Sequence, residues 1–147
     1  MVRPAFADGV FNAQNFALDG RQAEVSQRPI LVMFNADHCP YCWQVKRDYI
    51  ESLSSHPNYS KQLIIRIVNT DSDIAIVDFN GIKGTHASFA IEQGITLVPT
   101  VRFFDVNGQP LTSDLVGAGL SDFYLFYLES AISKARENLG RSRVFRD

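Results

Sequence analysis

The residues whose type and spacing could do chemistry are Cys39 and Cys42, the only cysteines among 147 residues, set either side of Pro40-Tyr41. Two thiols three positions apart can exchange with a disulfide. One attacks as the thiolate, and the other displaces the product from the mixed disulfide. The same pair could supply half of a zinc site. Only His38 stands near and no second C-x-x-C exists, so the spacing favours redox chemistry and no metal is expected. One pair of cysteines cannot form a disulfide framework, so the core must come from apolar packing.

The pair needs a strand that stops and a helix that starts. Ile30-Leu31-Val32-Met33-Phe34 precedes it, five apolar residues without polar alternation, which reads as a strand from Ile30 to Asn35 buried on both faces. A helix follows to Leu53, with Trp43, Val45, Tyr49, Ile50 and Leu53 as its apolar stripe. Pro40 suits its first turn. Cys39 then sits at the helix N-terminus, where unpaired N–H groups and the dipole favour a thiolate more acidic than free cysteine. A protonated His38 would add to this, as a possible modulator. Its plainer reading is a solvent-facing loop residue, and Asp37 is either a turn former or a modulator. His56 and His86 read as surface residues.

Fourteen Lys and Arg against 16 Asp and Glu leave a net charge of −2 with no basic run, which argues against a nucleic-acid partner. No stretch approaches the roughly 18 apolar residues of a membrane span. Ala5-Phe6-Ala7 matches the small-x-small pattern cut by signal peptidase, so the chain is expected to be periplasmic and to retain the tail of a leader. The alternative is a cytoplasmic protein whose arm carries these alanines by chance.

Residues 1–14 read as a flexible arm, 15–140 as one domain and 141–147 as a polar tail. Asp19 is a candidate cap for a helix from Gly20 to Gln27, with Ala23 and Val25 inward. Leu63 to Asn69 is a second buried strand. Ile74 to Val77 and the Asn80-Gly81 turn suggest a hairpin insert near residues 71–83. A helix from Thr85 to Gln93 carries Ala87, Phe89, Ala90 and Ile91, and Gly94 ends it. Thr100 to Asp105 and Pro110 to Val116 flank a turn as antiparallel strands. Ser121 opens the last helix, whose Phe123, Phe126, Tyr127, Ala131, Ile132 and Ala135 read as core, and Gly140 closes it.

From Arg21 to Leu139 the chain resembles the thioredoxin fold: an α/β domain with a central mixed β-sheet flanked by helices. The resemblance rests on Cys39-Pro40-Tyr41-Cys42 at a strand–helix junction, on Gly94-Ile95-Thr96-Leu97-Val98-Pro99-Thr100, and on Val116-Gly117-Ala118 before the last helix. Pro99 matches the family's cis-proline, and the insert resembles that of periplasmic SoxW-type proteins. Pro-Tyr between the cysteines is the glutaredoxin dipeptide, but no basic site for the glutathione carboxylates is evident. Met33 and Ile67 stand where thioredoxin carries a buried aspartate and its lysine partner.

The resemblance implies a thiol-disulfide oxidoreductase without cofactors, acting as a monomer on protein disulfides or dithiols. Cys39 attacks, Cys42 resolves, and Pro40, Tyr41, Val98 and Pro99 receive the substrate, with Val98 offering its backbone to an extended segment. The expected direction is reduction, with a membrane thiol-reducing partner as donor in a periplasm. A disulfide oxidase or isomerase of the same fold is one alternative. A binding module that keeps the cysteines without turnover is another.

Overall fold

The computed structural model describes residues 9–119 and 121–146. Its main sheet has five strands in the order β1-β3-β2-β6-β7. They are β1 (Val10–Asn12), β2 (Ile30–Asn35), β3 (Ile64–Asn69), β6 (Thr100–Phe104) and β7 (Leu115–Val116). The first three are mutually parallel, whereas β6 runs antiparallel to β2 and β7 to β6. A second, two-stranded sheet of β4 (Ala75–Val77) and β5 (Lys83–Thr85) is the expected hairpin insert.

Central β2 is buried from Ile30 to Phe34, as its unbroken apolar run requires. Each such side chain contributes about 1.5–3 kcal/mol on leaving water. Its register fixes the faces. Val32 lies between Arg66 of β3 and Arg102 of β6, while Met33 lies between Ile67 and Val101.

Helix α1 (Phe16–Ser26) and α4 (His86–Glu92) cover the Val32 face. Phe89 of α4 stacks on Phe16 of α1, at 4.8 Å, and on Phe34 of β2, at 6.2 Å. The insert joins this cluster through Phe79, 4.8 Å from Phe16 and 5.2 Å from Phe104. Gly108 is required there: a Cβ would come within 2.6 Å of the Phe79 ring, and its φ is +85°.

Several sequence expectations are corrected. Residues 10–12, read as part of an arm, form β1 because β3 offers them a parallel edge. The cap of α1 is Asn15, whose side chain accepts from the Leu18 N–H. Asp19 lies inside that helix, buried, where it holds Arg66 through two bonds of 3.0 and 3.1 Å. Val25 faces solvent, as do Trp43 and Ile91.

His86 is fully buried rather than superficial. Its Nε2 donates to the Ala13 carbonyl at 2.8 Å, and its Nδ1 accepts from the Asn69 N–H at 3.0 Å. The ring thus joins the ends of β1 and β3 to the start of α4. Beside it, the Asn69 side chain donates to Asn12 and accepts from Asn35, a row of amides across the ends of three parallel strands.

Helix α5 runs from Ser121 through Gly140 to Arg146, so residues 141–146 are helical rather than a tail. Its buried stripe is Tyr124, Leu128, Ile132, Ala135 and Leu139, whereas Phe123, Phe126 and Tyr127 are exposed. Six successive apolar residues, 123–128, mask the helical period, and only one in three or four can face the core. Residues 1–8, with Ala5-Phe6-Ala7, lie outside the described residues, as do Leu120 and Asp147.

Candidate functional site

The C-terminal end of β2 is held before the cysteines are reached. The Asn35 carbonyl accepts from Thr70, and the Asp37 N–H donates to the Asp71 carboxylate at 3.0 Å. His38 then adopts φ +59°, a left-handed turn residue that reverses the chain into the helix. Cys39 is the cap of α2 (Pro40–Val45), and its sulfur accepts from the Cys42 N–H at 3.2 Å. That bond occupies one of the donors a helix start leaves free, and Pro40 at the first position brings no donor of its own.

The helix continues as a π-helical turn (Lys46–Ile50) and then α3 (Glu51–Ser55). Tyr49 of the π turn packs on Tyr124 of α5 at 4.8 Å. The Tyr124 hydroxyl has no hydrogen-bond partner among the described residues, and burial, with Tyr49 beside it, pushes its ionisation well above the ordinary phenol range.

Cys39 and Cys42 are joined as a disulfide, with their Cα atoms 5.2 Å apart. Cys42 is fully buried in the core, whereas Cys39 is only partly covered. An open depression of about 540 Å³ lies over Cys39, lined by Asn35, Asp37, His38, Pro40, Trp43 and Lys46 among others. Tyr41 and Trp43 are 64% and 61% exposed, so Trp43 is surface here, with the Arg47 guanidinium 4.1 Å above its ring. Arg47 also bonds Asp48, whose carboxyl it holds below the usual range.

The Val98–Pro99 peptide is cis. Thr100 lies opposite Phe34 in the sheet, so Pro99, one step earlier, stands at the end of β2 where the cysteine loop leaves. Pro99 is buried and Val98 half-buried. The Pro99 carbonyl accepts from the Gly117 N–H at 2.7 Å, which draws Val116-Gly117-Ala118 to the same end.

Beneath, Met33, Ile67 and Val101 are closed to solvent and carry no titratable atom. Among the described residues, no three His, Cys, Asp or Glu side chains gather where they could share a metal ion. The residues singled out by sequence thus converge from three elements on one end of the sheet. Sequence reasoning missed Asn35 and Lys46 in the depression and the Asp71 carboxylate that holds its loop. The Asp37–Asp71 bond spans 34 positions and leaves no local signal.

The chain covers known thioredoxin structures almost end to end. Against the thioredoxin Mala s 13 of Malassezia sympodialis it is 21% identical with a TM-score of 0.58, over 92% of this chain and 96% of that one. Thioredoxin f of spinach chloroplast gives 18% identity and a TM-score of 0.58, over 88% and 98%. Thioredoxin O2 of Arabidopsis thaliana in its oxidised state gives 19% and 0.54, over 86% and 93%. At these identities the likeness is one of fold. No curated protein sequence matches the chain. The family model of the thioredoxin-like domain matches residues 16–131, and with the sheet order and the bridged Cys39–Cys42 pair beside it, the chain belongs to the thioredoxin-like domain family.

Proposed function

We propose that this protein is a thiol-disulfide oxidoreductase working on protein substrates, and that its usual direction is reduction. The observation that carries this reading is the unequal exposure of a bridged pair at a helix start. Cys39 is reachable and Cys42 is sealed, which suits an attacking and a resolving sulfur respectively.

In the reduced protein the Cys39 thiolate attacks one sulfur of a substrate disulfide. A bond forms between Cys39 Sγ and that sulfur, the substrate bond breaks, and the leaving thiolate takes a proton from water. The Cys42 thiol loses its proton, and its thiolate attacks Cys39 Sγ and expels the second substrate thiolate. Two electrons have then passed to the substrate, and the Cys39–Cys42 disulfide is formed. An external dithiol must restore the pair, and for an exported protein a membrane thiol-reducing partner fills that role.

Val98 and Pro99 form the wall against which an extended substrate segment lies, while Pro40 and Tyr41 meet it from the helix side. His38, lining the depression beside Cys39, is the candidate modulator. The protein works as a monomer, without a cofactor, in the periplasm.

Cysteine exchange tests the assignment. Cys39→Ser is expected to abolish reduction of insulin disulfides, and Cys42→Ser to accumulate a mixed disulfide through Cys39. A Cys39→Ser protein with normal turnover would sink it. Equilibration with glutathione tests the direction: a potential near the upper end of the family range, about −120 mV, would make the protein an oxidase. N-terminal sequencing of the protein from its native host tests export.

A further inference from the structure

Two segments stand on the β6 side of the sheet end from which the cysteine loop leaves. One is the turn from Gly94 to the cis peptide at Pro99. The other is Leu115 to Ala118, which closes on Pro99 through the Gly117 N–H. A single side chain grips the residue before each. Arg102, in the middle of β6, directs Nε and Nη2 to the two oxygens of Asp114, both at 2.8 Å. Its Nη1 donates to the backbone carbonyl and the side-chain oxygen of Gln93, both at 3.0 Å. Gln93 caps α4 immediately before Gly94, and Asp114 immediately precedes β7.

We propose that Arg102 is a positioning residue for the substrate wall: through Gln93 and Asp114 it sets where Val98–Pro99 and Val116–Gly117 stand relative to the disulfide. The inference rests on the reading of that wall given above. A guanidinium whose side chain is only 12% exposed is costly to bury unless its donors are met. Here four bonds run to the entry points of the two segments, and one answers a helix-end carbonyl that α4 itself leaves without a partner. The planar fork is what makes this possible. Lysine offers one compact ammonium and cannot span both partners at bonding distance. Arg102 touches neither cysteine by any bond described, so its effect must pass through the wall.

The test has two readouts on the intact protein. The first is amide hydrogen exchange at Gly117 in Arg102→Met, referenced to amides of β3. Exchange is expected to quicken about tenfold at Gly117 and stay level in β3. Unchanged exchange at Gly117 overturns the proposal, whatever the activity. The second compares insulin with the small disulfide 5,5′-dithiobis(2-nitrobenzoic acid). Misplacing the wall should raise KM for insulin about tenfold. kcat and the rate with the small disulfide should stay within about twofold. Faster Gly117 exchange with an unchanged insulin KM overturns the positioning role and leaves the oxidoreductase reading standing. A wild-type protein that reduces neither compound ends that reading, and Gly117 exchange still decides the role of Arg102. Arg102→Lys should behave like Arg102→Met, and restoration of KM by lysine counts against the fork. If Arg102→Met fails to fold, Asp114→Asn, which keeps the Gln93 bonds, carries the same readouts.

Discussion

Arg66 and Arg102 occupy matching places on either side of Val32, on one face of the sheet, and each holds a carboxylate with two bonds. They differ in what the carboxylate belongs to. Asp19 lies within α1, so Arg66 ties a helix to the sheet, with side chains only 8% and 7% exposed. Asp114 lies just before β7 and is 26% exposed, so Arg102 ties a loop that reaches the Pro99 end of the sheet. The first pair is closed off and belongs to the fold. The second is nearer solvent and bears on the site. The same chemistry thus serves stability in one place and placement in the other, and the elements at its far end decide which.

The largest effect expected from this contrast is on stability. Arg66→Met leaves Asp19 buried without its cation and should cost about 3–5 kcal/mol in urea unfolding, with KM for insulin unchanged. A KM shift as large as that of Arg102→Met would erase the distinction.

Next, the double variant Asp19→Leu with Arg66→Met should recover most of that loss, since an apolar replacement of a buried ion pair is often neutral or stabilising by about 1–4 kcal/mol. Failure to recover would mean that the pair stabilises α1 in a way packing cannot replace.

Tyr124 supplies the opposite case, a buried polar atom with no partner among the described residues. Tyr124→Phe should gain about 1 kcal/mol in thermal or urea unfolding. A loss of similar size would reveal a bond to the hydroxyl.

The smallest effect is in pH. Burial holds the Asp19 carboxyl above its ordinary value, and Arg66 only partly pulls it back. The folded chain therefore binds more protons than the unfolded one between those values. This contribution to stability is full below about pH 3.9 and is lost as pH rises through the raised value. Stability relative to Asp19→Asn should decline as pH rises above about 3.9. A difference that grows with pH would show Arg66 outweighing burial.

What the sequence made legible was chemistry and period. Cys39-Pro40-Tyr41-Cys42, the apolar runs of β2 and β3, the insert turn at Asn80-Gly81 and the Val98-Pro99 peptide before β6 all announce themselves within a few residues. What it hid was settled at long range. His86 reads as surface until Ala13, 73 positions away, accepts its hydrogen. Asp19 reads as a cap until Arg66, 47 positions away, claims it. Phe123, Phe126 and Tyr127 read as core because each fits a helical period, yet the core takes only the Tyr124 and Leu128 side of α5. Gly140 reads as a stop, but glycine within a helix costs only about 1 kcal/mol relative to alanine, and α5 runs through it.

The row Asn12, Asn69 and Asn35 bears on how this fold keeps its outermost strand. β1 has three residues, at the short end for a strand, so few ladder bonds fix its register. A slip of one position would turn Asn12 to the opposite face and break the side-chain link to Asn69. The amide therefore acts as a pin that fixes the alignment of a short strand. An edge held in one register is also less open to slippage and alternate pairings, so the small contact that orders the strand ends keeps this edge in its place.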